Sequence, residues 1–178
     1  MKCAFLAILL AASACAQDAG VQPVWEVRTA LDDLSTQTGR MEPLLEQLNP
    51  ADWTNKEAPE AYVAQWNSLR NEVGYVRRAI AELKDNPENL AKSVEVFLRL
   101  LSVEEMMNSF LDGVRRYHNP AVAELLTGIM NDSANSRFGF RNHLLELANL
   151  RETELRITNQ ELQRCRAAML QRPNARGR

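Results

Sequence analysis

Between its prolines the chain repeats one pattern: apolar side chains alternately four and three residues apart. That spacing restricts it to helices that each bury a single stripe. The first stretch reads Val24, Val27, Leu31, Leu34, Thr38, Met41, Leu45, Leu48, with one polar member. The second reads Tyr62, Trp66, Leu69, Val73, Val76, Ile80, Leu83, with none. A third carries Leu90, Val94, Phe97, Leu101 and, out of phase with them, Val96, Leu100, Val103, Met107, Phe110, Val114, Tyr117. Two adjacent stripes imply burial against more than one neighbour, so this helix is expected at the centre of a bundle. The last third, residues 120–170, has no internal proline after Pro120 and reads Leu144, Ala148, Arg151, Leu155, Thr158, Leu162, Cys165, Met169. A single helix of that length would reach about 75 Å at 1.5 Å per residue. Strict apolar alternation, the mark of a half-buried strand, is missing.

Punctuation supports the same reading. Asn49-Pro50, Asn86-Pro87 and Asn119-Pro120 each join a good N-cap to a residue suited to the first helical position. Each pair is expected to stop one helix and start the next helical turn, and the tight junctions make the joined helices antiparallel neighbours. Pro59 is expected to open the second helix. Residues 131–136, Asn-Asp-Ser-Ala-Asn-Ser, have poor helix propensity and good capping chemistry. With no proline among them, the last helix is read as continuous over about 120–171, followed by a basic tail at 172–178. Gly74 and Gly113 interrupt helices at a cost of about 1 kcal/mol each against Ala, for which close helix approach is the expected reason.

The first residues are of another kind. Met1-Lys2 precedes an almost wholly apolar run to Ala16, too short for the roughly 20 residues a bilayer span needs. It has the layout of a secretory signal peptide, residues 1–16, cut after Ala16. Ala12-Ser13-Ala14-Cys15 is similar to a bacterial lipobox, so lipidation at Cys15 is the alternative, and only that version ties the protein to a membrane. Removal of either leader leaves Cys165 as the one unmodified thiol, which excludes an internal disulfide framework. The remaining residues, 17–178, form one domain by size.

Without Lys2 the chain has 20 basic residues against 23 acidic ones, a net −3 that argues against nucleic-acid binding. The charge is uneven. Residues 17–110 hold 16 acids and 9 bases, whereas residues 151–178 hold 3 acids and 7 arginines, a net +4.

Chemistry is sparse. Neither His118 nor His143 has Glu three residues before it, as a di-metal bundle site requires, and neither has the company of other ligand types. Neighbouring acids such as Asp32-Asp33 and Glu104-Glu105 point different ways on a helix. There is no Gly-x-Ser-x-Gly setting, glycine-rich phosphate loop or haem-attachment motif. No catalytic residue, cofactor or metal is therefore assigned. Trp25, Trp53 and Trp66 are read as core or boundary packing, with Trp53 plugging one bundle end.

The expected product is an exported all-α protein, secreted or periplasmic: an up-down antiparallel bundle of four helices whose long last helix projects beyond it. Leu155, Leu162, Cys165 and Met169 continue the apolar spacing into the projecting part, where a purely solvated tail would not need it. They are the expected contact residues for a protein partner or for a second copy. A parallel, in-register pair would set Cys165 against Cys165. The expected role is non-enzymatic, structural or protein-binding. A periplasmic holdase-like chaperone is the alternative, and a ligand-binding or catalytic bundle a lesser one.

Overall fold

A computed structural model describes residues 23–171. The expected signal peptide, Cys15 and the basic tail at 172–178 lie outside the described residues. Five α-helices follow in order: α1 (Val24–Glu46), α2 (Ala61–Asp85), α3 (Leu90–Gly113), α4 (Pro120–Asp132) and α5 (Ala134–Gln171). A 3₁₀ helix, Pro50–Lys56, connects α1 to α2, and a π turn, Val114–His118, ends α3. Among the described residues there is no strand, and no helix is long and apolar enough to cross a membrane.

The helices stand at the corners of a square. α1 lies on α2, α2 on α3, and α4 and α5 together fill the fourth corner between α3 and α1. Among the described residues, no backbone approach joins α1 to α3, or α2 to α4 or α5. Ion pairs report the directions. Lys84–Asp32, Arg77–Glu42 and Arg70–Glu46 (3.9 Å) run in opposite order along α1 and α2, as Lys92–Glu82 (2.7 Å) and Arg99–Glu72 (3.0 Å) do along α2 and α3. Arg40–Asp132 (3.1 Å) and Arg137–Glu104 (2.7 Å) tie the fourth corner to α1 and α3. Exposed pairs of this kind contribute about 0–1 kcal/mol each, so they mark the register and the core holds it.

That core is one cluster built from the stripes. In α1 every stripe member from Val27 to Leu45 is buried, as is Leu48 just beyond it, and the Thr38 hydroxyl is satisfied by donating to the Leu34 carbonyl at 2.6 Å. In α2 Leu69, Val73, Val76, Ile80 and Leu83 are fully buried. Trp66 sits at the boundary: its Nε1 donates to the Leu45 carbonyl at 2.8 Å and Arg70 stacks over its ring. Trp53 closes one end, stacked on Phe110 with ring centroids 5.6 Å apart and met edge-on by Tyr62 at 5.8 Å. Trp25 departs from the expectation altogether and is 67% exposed.

Several boundaries differ from the sequence reading, for local reasons. Asn119 caps α4 as expected, its Oδ1 accepting from Ala121 N–H at 2.9 Å. At Asn86-Pro87, however, α2 ends without α3 beginning. Asn89 is the cap, accepting from Lys92 N–H at 3.1 Å. Asn49-Pro50 opens the 3₁₀ helix, and α2 starts at Ala61, two residues after Pro59. α1 runs through Pro43, in its last turn, where the ring leaves the Gly39 carbonyl without its ladder donor.

The last helix is not continuous. It is interrupted at Ser133, where the Ser133 hydroxyl (2.8 Å) and the Arg137 guanidinium (3.2 Å) both donate to the Met130 carbonyl. Side-chain donors that occupy a helix carbonyl compete with the regular ladder, as the capping chemistry of 131–136 allows. α5 does not fold back: α4 and α5 succeed one another along the same α1–α3 groove. α3 is also not central. It occupies a corner; its Val96-to-Val114 stripe is buried, whereas Val94 and Leu101 of the other stripe are exposed.

Candidate interaction surface

α5 enters the bundle with Phe140, His143 and Leu147 buried. These three, with Ser133 before them, form its bundle-facing line. The stripe read from the sequence, Leu144 onward, lies roughly 70° around the helix from that line at 100° per residue. Leu144 and Ala148 are accordingly half-buried. The offset arose because the true line contains a histidine. His143 is only 1% exposed; its Nε2 lies 3.1 Å from the Pro87 carbonyl, which can only accept, so Nε2 carries the proton. Nδ1 has no partner among the described residues.

Arg151 is the last attachment. Its guanidinium lies 3.4 Å from the Glu88 carbonyl and 4.0 Å from the Glu88 carboxylate in the α2–α3 turn, and it holds Glu154 at 2.8 Å on its own helix. The carboxylates of Glu154 and Glu88 hold the Arg151 charge in place and push its proton affinity above the ordinary guanidinium value. Beyond this clamp every residue from 152 to 170 is exposed. That overhang is about 28 Å of helix at 1.5 Å per residue.

The four expected contact residues all lie on it. Leu155 is 63% and Met169 71% exposed, Leu162 is exposed beside them, and Cys165 is a free, exposed thiol. Leu155, Leu162 and Met169 share a seven-residue spacing with half-buried Ala148, so one line runs from the bundle flank out along the overhang.

Arg137 identifies the flank. It lies seven residues before Leu144 on the same line, and it pairs with Glu104 of α3. Phe97, seven residues before Glu104, and Leu101, three before, face the same boundary from α3. On α3 Leu101 is 45% and Leu98 58% exposed, and on α5 Leu145 is 52% and Phe138 61% exposed. Leu145 and Phe138 face away from the buried line of α5, roughly 80–140° around the helix from the overhang stripe at 100° per residue. The sequence reading did not assign Leu98, Phe138 or Leu145, and placed Leu101 only in the first stripe of α3. The signal available was the first α3 stripe, Leu90, Val94, Phe97 and Leu101, whose last two members face this boundary.

Other places are poorer in chemistry. Trp25 walls an open groove whose floor is Thr29, Ala30, Ser136 and Gly139. His118 is exposed and stacks on Trp53, 6.3 Å between centroids. Among the described residues, no three His, Cys, Asp or Glu side chains gather as a metal ion would require. The chain matches no family model, and no curated protein and no solved structure stands out as similar to it.

Proposed function

We propose that this is an exported, non-enzymatic helical-bundle protein that works by binding another protein through the overhang of α5. The observation that carries the reading is nineteen consecutive exposed helical residues, 152–170, that keep Leu155, Leu162 and Met169 in line. Packing within the chain gives those positions no reason to be apolar, and an isolated helix of this length is only marginally stable in water. Burial of the stripe on a partner supplies both the reason and the missing stability. The apolar run before Ala16 supports export, with lipidation at Cys15 as the anchored alternative.

A photo-crosslinking residue at Leu155 is expected to trap a defined protein from the native envelope. Leu162→Lys in the same chain is expected to abolish that product. A product unchanged by Leu162→Lys, or equal crosslinking from Ala61 on the opposite side of the bundle, refutes the reading. A protein recovered from cytosol with residues 1–16 intact refutes export.

The exposed Leu98, Leu101, Phe138 and Leu145 favour a second reading, a holdase-like chaperone. It predicts that near-stoichiometric protein suppresses aggregation of unrelated unfolded chains, and that Leu98→Lys weakens the effect.

A further inference from the structure

We draw no further inference here: the strongest candidate, the exposed apolar stripe of Leu155, Leu162 and Met169 on the α5 overhang, belongs to the surface already described, and nothing in the structure shows what covers it.

Discussion

Two helix-interior glycines should respond in opposite directions to the same substitution. Alanine in place of glycine inside a helix gains about 1 kcal/mol from propensity. At Gly74 little opposes that gain: an added Cβ would meet only the Arg78 Nη1 atom, at 3.7 Å, the far end of a flexible side chain. At Gly113 the added Cβ would lie 2.5 Å from Tyr62 Cε1 and 2.9 Å from Cδ1 and Cζ, so the ring must move. Tyr62 has little freedom, being held edge-on by Trp53 (5.8 Å), Tyr117 (5.8 Å) and Phe110 (6.4 Å). Forcing a methyl into packed surroundings costs about 1–3 kcal/mol, which exceeds the propensity gain. Gly113→Ala is therefore expected to lose about 1 kcal/mol net and Gly74→Ala to gain up to about 1 kcal/mol. For a chain of this size that separates the melting temperatures by about 4–8 °C. Urea denaturation followed by circular dichroism measures both. Gly113→Ala combined with Tyr62→Leu should recover most of the loss. If both single variants stabilise, the close approach of Tyr62 to Gly113 is wrong.

Other expectations follow from burial and charge. Ile80→Ala, at a fully buried site, should cost about 2–5 kcal/mol in the same assay, whereas exposed Leu155→Ala should stay within about 0.5 kcal/mol. Equal losses would mean that α5 does not leave the bundle after Arg151. His143→Ala should cost about 2–3 kcal/mol, from a cavity and a Pro87 carbonyl left without its donor; a neutral result would refute the buried tautomer. The hydrogen bond from Lys92 holds the Glu82 carboxyl below the usual carboxylate range, with the Lys92 charge adding to it. Stability from this depressed value is present above the unfolded-state pKa and lost as pH falls through the folded one. The melting temperatures of the parent and Glu82→Gln should thus converge in acid, and a constant gap down to the lowest pH would exclude the linkage.

The stripes of α1 and α2 were readable because nearly every core position there is apolar, so periodicity and burial coincide. α5 was readable in type and extent but not in rotation. Its inward line passes through Ser133 and His143, polar residues that local hydrogen bonds make tolerable inside, while Leu144 and Leu155 mimic a core line on the flank. No rule of spacing distinguishes a satisfied buried histidine from an exposed one. The interruption at Ser133 was foreshadowed by the composition of 131–136. Whether packing or capping wins there depends on Arg137, whose reach to the Met130 carbonyl is a tertiary matter. The same limit applies to Trp66, which keeps phase with the α2 core yet ends at its rim because its indole N–H needs the Leu45 carbonyl. The overhang was legible from length alone: shorter helices cannot cover a longer one.

The square arrangement has a consequence for the order of assembly. α1–α2 and α2–α3 are hairpins whose partners are close in sequence, and they can form as soon as each turn is made. The fourth corner closes differently, through Arg40–Asp132 and Asp33–Ser136, residue pairs 92 and 103 positions apart. Until α4 and α5 arrive, α1 and α3 stand with their inner faces open to water and to each other. Ring closure carries most of the loop entropy of this topology, so the folding barrier is expected to fall at the docking of the last two helices. A chain that emerges from a translocation pore amino terminus first would wait in that open state until its final fifty residues had crossed. The helix that projects from the finished molecule is also the one whose delivery completes it.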